Sequence, residues 1–195
     1  MAALGPNLRG DYIKTKTMEY LTQKWKMWYK SLDVNHDGKI SMEDVEESRN
    51  KFTDLHHLLG DKAESVKNDM KKWWTTYILT TENQEISEEQ FLAYLGGLYN
   101  ADKAAFRDRM QQCFDMMFDV IDTNKDRSIE LDEFIFAWKA FGHENKDLVT
   151  KAFSLFDAKD GLVPLRDIVS AWVQFVTSDD SSKRDIVLEA FKTGV

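Results

Sequence analysis

The chain has 195 residues, 43% of them hydrophobic, with 34 Asp and Glu against 26 Lys and Arg and a net charge of −8. That balance argues against nucleic acid as a partner and leaves enough apolar residues for a real core. Cys113 is the single cysteine, which excludes an internal disulfide and reads as a buried thiol, and no run approaches the roughly 18 apolar residues of a membrane span. Met1 to Tyr12 lacks a basic start followed by an apolar run, so no secretory signal is expected and the cytoplasm is the expected compartment. Gly5, Pro6 and Gly10 predict a flexible tail over 1–10.

The first periodic face is Met18, Leu21, Trp25, Trp28 and Leu32, at spacings of 3, 4, 3 and 4, which predicts a helix. It runs directly into Asp33-Val34-Asn35-His36-Asp37-Gly38-Lys39-Ile40-Ser41-Met42-Glu43-Asp44. Oxygen-bearing side chains stand at positions 1, 3, 5, 9 and 12, and glycine at 6. This is the calcium-loop pattern of an EF-hand, with Asp44 where the pattern asks for Glu. The spacing has a physical reason. Calcium needs six to eight hard oxygen ligands at about 2.3–2.6 Å, and a short loop must wrap the ion to supply them. Side chains at 1, 3 and 5 turn inward, position 7 supplies a backbone carbonyl, and position 12 reaches back from the exiting helix. The expected ligands are Asp33, Asn35, Asp37, the Lys39 carbonyl, Ser41 and Asp44. Ser41 with Asp44 three residues on resembles a capping box, although Asp is not its usual partner, and leads a helix carrying Val45, Phe52 and Leu55. His56 and His57 are adjacent, so they do not share a face; a helix-end role is expected rather than chelation.

A second unit starts near Asp61, with Val66, Met70, Trp73 and Tyr77 on one face. Setting Ile86 at position 8 gives a loop from Leu79 to Gln90 with Leu79 at 1, Gln84 at 6 and Gln90 at 12. Its anionic ends are missing, yet Ser87 and Gln90 still make a capping box and Phe91, Leu95 and Leu98 a face. The scaffold persists without chelation. Gly96-Gly97 through Asn100-Ala101 marks the expected boundary between halves, 11–99 and 100–195.

The third unit enters along Phe106, Met110, Cys113 or Phe114, Met117 and Ile121. Its loop is Asp122 to Glu133, with expected ligands Asp122, Asn124, Asp126, the Ser128 carbonyl, Glu130 and Glu133. Arg127 replaces the glycine at position 6. That position needs positive φ, at a cost of about 1–2 kcal/mol for a residue with a Cβ, so this site is expected to be weaker than its ligands imply. Phe134, Ala137, Trp138 and Phe141 follow, and Gly142 ends the helix.

Asn145 is the expected N-cap of the fourth unit, with Leu148, Ala152 and Leu155 on its face. Its loop is broken in either register. Counted from Asp157 to Asp167 it is one residue short; with Gly161 at 6 and Val163 at 8, Phe156 stands at position 1. Pro164 opens the exiting helix, Ile168, Trp172, Phe175 and Val176 form its face, and a last helix from about Ser182 carries Ile186 and Phe191. The predicted fold is all-α: four EF-hand helix–loop–helix units in two packed pairs, a repeat of about 45 residues, with chelation surviving in the first and third. Position-8 residues should meet in pairs, Ile40 with Ile86 and Ile129 with Val163, all β-branched.

Taken together, these features resemble the invertebrate sarcoplasmic calcium-binding proteins over nearly the whole chain after Gly10. The likeness lies in the length, the four-unit layout with silent members, the Asp33–Asp44 loop ending in Asp, and the tryptophan-rich helices. The resemblance implies a compact cytoplasmic buffer of Ca2+ and Mg2+ in the muscle or other excitable tissue of a mollusc or other invertebrate, in a family whose shellfish members are food allergens. Two calcium sites are expected. The short Asp44 should admit magnesium as a competitor at the first. Two rivals stand beside this reading. A sensor exposes a Met-rich groove, and the chain has 8 Met; but 6 Trp, 6 Tyr and 12 Phe suit a fixed core better. A photoprotein or luciferin-binding protein is the second; a photoprotein shares the layout and a loop like Val34-Asn35-His36-Asp37-Gly38, but ends in proline where this chain ends in Val195. No nucleophile–base grouping and no phosphate loop is present, so no enzyme is expected. Protein partners stay open, as does the choice between monomer and homodimer.

Overall fold

The computed structural model describes residues 8–79, 81 and 84–195, with side chains from residue 18 onward. The first unit is α1 (Leu8–Leu32), the Asp33 loop and α2 (Met42–Leu55). The second is α3 (Gly60–Tyr77), a loop and α4 (Glu88–Ala101). The third is α5 (Lys103–Ile121), a loop holding β1 (Ser128–Glu130), and α6 (Leu131–Ala140). The fourth is α7 (Lys146–Phe153), a loop holding β2 (Leu162–Pro164), and α8 (Leu165–Thr177); α9 (Ile186–Lys192) follows.

The capping residues act as their sequence suggests. Ser41 accepts from the Glu43 N–H at 3.1 Å, and the Asp44 carboxylate accepts from the Ser41 N–H at 2.8 Å. Ser87 and Gln90 exchange the corresponding bonds. Asn145 caps α7 by accepting from Asp147 and Leu148. At the end of α2, His57 takes φ 51° and its N–H donates to the Asp54 carbonyl, while the Leu58 N–H donates to Thr53. This closing pattern usually recruits glycine; here His57 fills it, which is the helix-end role expected of the pair.

Three boundaries differ from the sequence reading. Of the expected tail, residues 1–7 lie outside the described residues, and Leu8 to Gly10 already belong to α1. One glycine costs a helix only about 1 kcal/mol, which a long packed helix absorbs. Gly96 and Gly97 lie inside α4 for the same reason. The chain turns instead at Asp102, which ends α4 and caps α5 by accepting from Ala104 and Ala105. The last helix begins at Ile186 rather than Ser182, because Asp185 is its cap, accepting from the Leu188 N–H at 3.0 Å.

The units pair as expected. Ile40 and Ile86 exchange backbone hydrogen bonds of 3.0 and 2.9 Å. The strands β1 and β2 run antiparallel with Ile129 opposite Val163. That register decides between the two readings of the fourth loop: Gly161 stands at position 6 and Phe156 at position 1. The halves then share one core. α5 packs along α8, α3 against α5, and α2 against both α3 and α6. Trp28 meets Phe114 at 5.5 Å between ring centres. Two buried indoles donate across the halves, Trp25 to the Val176 carbonyl at 2.8 Å and Trp73 to the Cys113 carbonyl at 2.9 Å. Lys24 is fully buried on α1, 3.2 Å from Asp185 and 2.7 Å from the Ser178 carbonyl. Burial lowers the Lys24 ammonium from its ordinary value, and Asp185 partly restores it.

Candidate metal centres

Each loop places its position-1 residue in the core, at the end of an apolar helix face. The four residues are Asp33, Leu79, Asp122 and Phe156, with exposures of 8%, 0%, 1% and 6%. The second and fourth loops therefore bury a hydrocarbon where the first and third bury a carboxylate. Burying a carboxylate is costly unless a cation pairs with it. The nearby cationic side chains turn elsewhere: Lys39 to Glu85 and Arg127 to Asp119. Among the described residues, Asp33 and Asp122 accept from backbone N–H groups and neither has a cationic partner.

In the first loop the backbone curls around Asp33. Its two oxygens accept from the Asp37 N–H at 3.1 Å and the Gly38 N–H at 3.0 Å. Asn35 also accepts from Asp37, and Asp37 from Lys39. Asp44 reaches back from α2, accepting from Val34 at 2.8 Å and Asn35 at 3.3 Å through one oxygen and from Ser41 through the other. Burial raises Asp44 above the ordinary carboxylate range; the three N–H donors oppose this, and the neighbouring Asp33 charge adds to it. The Lys39 side chain points to Glu85, so its carbonyl is the group left for the loop. Left-handed backbone at positions 4 and 6, His36 (φ 59°) and Gly38 (φ 87°), makes the tight turn.

The third loop repeats this geometry. Asp122 accepts from the Arg127 N–H at 3.1 Å, Asn124 from Asp126, and Asp126 from Ser128 at 2.8 Å. Glu133, the third residue of α6, accepts from the Thr123 N–H and hydroxyl at 2.9 and 3.0 Å and from the Glu130 N–H at 3.3 Å. Burial raises its carboxyl, against the Thr123 donors. Lys125 (φ 60°) and Arg127 (φ 66°) occupy the left-handed positions 4 and 6, so Arg127 does adopt the backbone that glycine would take more easily. In the fourth loop the left-handed residues are Asp160 and Gly161, positions 5 and 6, and the turn is a different one.

The donor set suits a hard divalent cation: all oxygen, with three carboxylates in the first loop and four in the third, on one short curl of backbone. Asp122 Oδ1 is buried without a hydrogen-bond partner, the atom a bound cation would satisfy. Among the described residues, no three His, Cys, Asp or Glu side chains already converge on one point.

Two residues near the loops escaped the sequence reading. Tyr29, one turn before Asp33, places its hydroxyl 2.9 Å from the Ile86 carbonyl and 3.0 Å from that of Gly38. Burial, with Asp33 nearby, pushes its phenol up to about 12. Gly142 ends its helix, as the sequence predicts, and it also lies against Val34 of the first loop. Between the loops lies an apolar cavity of about 70 Å³, walled by Trp28, Leu32, Trp73, Ile121, Trp138 and Trp172 among others.

No family model matches the sequence. The chain is 60% identical over 176 residues to the sarcoplasmic calcium-binding protein of Mizuhopecten yessoensis, covering 90% of this chain and 99% of that one. Among solved structures it is similar to the calcium-loaded apo form of the coelenterazine-binding protein from Renilla muelleri, with a TM-score of 0.74 and 23% identity, covering 90% of this chain and 96% of that one. It is also similar to a sarcoplasmic calcium-binding protein from amphioxus, with a TM-score of 0.59 and 21% identity, covering 90% and 97%. The last two likenesses establish the fold.

Proposed function

This chain belongs to the sarcoplasmic calcium-binding proteins, and we propose that it is a cytoplasmic binder of calcium with two sites and no catalytic role. One site is Asp33, Asn35, Asp37, the Lys39 carbonyl, Ser41 and Asp44. The other is Asp122, Asn124, Asp126, the Ser128 carbonyl, Glu130 and Glu133. The observation that carries this reading is the burial of Asp33 and Asp122, without cationic partners, in slots that the silent loops fill with Leu79 and Phe156. The short Asp44 favours fewer ligands than Glu would, so magnesium competes at the first site.

Of the functions open to such a binder, we favour a buffer over a sensor. A sensor opens to expose an apolar groove. Here the apolar faces of the two halves bury each other, and the Trp25 and Trp73 hydrogen bonds hold them together. A chromophore-holding role has less support, since the central cavity is about 70 Å³ and small-molecule sites run to roughly 300–1,000 Å³.

Calorimetric calcium titration, with and without millimolar magnesium, tests the reading. Two sites are expected, the first weakened by magnesium. A single site or none overturns the assignment. Strong calcium-induced binding of an apolar dye or amphipathic peptide would turn it toward a sensor.

A further inference from the structure

The third unit ends on the first metal loop. Its exit helix α6 carries Glu133 at its third residue and closes at Gly142, where the N–H groups of Gly142 and His143 donate to the Lys139 and Trp138 carbonyls. Gly142 has φ +88°, and a Cβ placed on it would lie 2.8 Å from the Val34 carbonyl oxygen and 3.6 Å from His36 Nε2. The first distance is closer than real Cβ contacts come, and the obstructing atom is backbone. Val34 is position 2 of the first loop, and the N–H of the same residue donates to Asp44, position 12, at 2.8 Å. One residue of that loop therefore touches its own closing ligand on one side and the end of the third unit on the other.

We propose that Gly142 is a positioning residue for cation binding at the first loop, and that α6 couples the two loops through it. The inference rests on the reading that both loops hold cations. Glu133 anchors the start of α6 to the third loop, through Thr123 and Glu130. A ten-residue helix is stiff along its axis. Drawing Glu133 toward an ion shifts α6, and its far end bears on Val34 and thereby on the peptide that orients Asp44. The missing Cβ at 142 is what lets the two surfaces meet at this distance. Coupling of this kind is a free-energy difference between two arrangements, and it acts equally in both directions.

The test uses the 15N-labelled full chain, titrated with calcium while the Gly38 and Arg127 amides report the first and third loops separately. Gly142→Ala and Gly142→Asn are both expected to weaken the first loop by about 5- to 150-fold, the usual range of coupling between linked sites. Asn tolerates positive φ better than Ala but carries the same Cβ. Rescue by Asn would therefore assign the effect to backbone strain and overturn the proposal, as would a fall in thermal stability with the Gly38 midpoint unmoved. Glu133→Gln, which leaves Gly142 in place, keeps the test alive if the glycine variants do not fold. It should weaken the first loop as well as the third, and a Gly38 midpoint unchanged by it overturns the coupling. A wild-type Gly38 amide that ignores calcium overturns the two-site reading itself, and this inference with it; an amide that responds identically in all variants overturns the inference alone.

Discussion

The Tyr29 hydroxyl lies 2.9 Å from the carbonyl of Ile86, a residue of the second loop, and 3.0 Å from that of Gly38 in the first. The entering helix thus fastens the first loop to the second through one phenol, beside the two backbone bonds of Ile40 and Ile86. Tyr29→Phe is expected to cost about 1 kcal/mol of stability, the net worth of a typical buried hydrogen bond, and to weaken calcium at the first loop severalfold. Ile86→Asp should weaken it further, since Ile86 is buried and a carboxylate there parts the two loops. Neither residue is a ligand. Calorimetric affinity unchanged in both variants would show that the silent loop gives no support.

Arg127 holds φ 66° in the third loop, where Gly38 holds φ 87° in the first. Its N–H donates to Asp122, as the Gly38 N–H does to Asp33. The turn is the same, so the cost of a Cβ in left-handed backbone is borne by the folded chain. Arg127→Gly should raise stability to denaturant by about 1 kcal/mol, offset in part by the greater freedom of an unfolded glycine. The exposed Arg127–Asp119 pair that it removes is worth little. Calcium should bind the third loop more tightly to the extent that metal-free protein samples other conformations there. A variant less stable than wild type and no tighter for calcium would refute the strain.

Burial lowers the His143 imidazole to about 4, with the nearby His36 adding to the effect. Between there and the ordinary value near 6.5, the unfolded chain takes up a proton that the folded chain refuses. The unfolded state binds more protons across that window, so His143 makes stability fall as pH drops through it. About 2 kcal/mol should be lost between about pH 7 and pH 5 from this residue. In metal-free protein, Asp44 and Glu133 act in the opposite sense, because their carboxyls are raised by burial. The measurement is therefore a comparison. Denaturation of wild type and His143→Phe in chelator at both pH values should show the variant losing less on acidification. Equal losses would mean that His143 titrates normally.

Much of the fold was legible because each unit repeats the same local grammar. The helix faces, the Ser41, Ser87 and Asn145 caps and the β-branched residues at position 8 are local signals, and they placed Ile40 against Ile86 and Ile129 against Val163. The candidate ligands were legible for the same reason, since a short loop supplies its own oxygens. Long-range pairing was not legible. Lys24 reads as a surface residue until Asp185, 161 residues along the chain, is placed beside it. Gly142 carries a local signal for ending a helix and none for touching Val34. Glycines at 10, 96 and 97 signalled breaks, yet all three lie within helices, whose other residues outweigh a cost of about 1 kcal/mol per glycine.

The four position-1 residues also predict what happens when the metal site is given up. Asp122 is 1% exposed, with one oxygen accepting from Arg127 and the other unpartnered. Leu79 and Phe156 show that the corresponding slots of the silent loops accept hydrocarbon. Replacing a buried unpaired charge by an apolar side chain of similar size removes a desolvation penalty. Asp122→Leu should therefore raise the stability of metal-free protein by about 1–4 kcal/mol, less the cost of freeing the Arg127 N–H, which sits at an exposed turn and can turn to water. The same change removes position 1 of the proposed ligand set, so calcium should no longer stabilise the third loop. Thermal unfolding in chelator and in excess calcium separates the two effects: a higher midpoint than wild type in the first, and a smaller calcium-induced rise in the second. If the variant melts below wild type without calcium, the buried carboxylate was already satisfied, and the main physical reason for placing a cation beside it is lost.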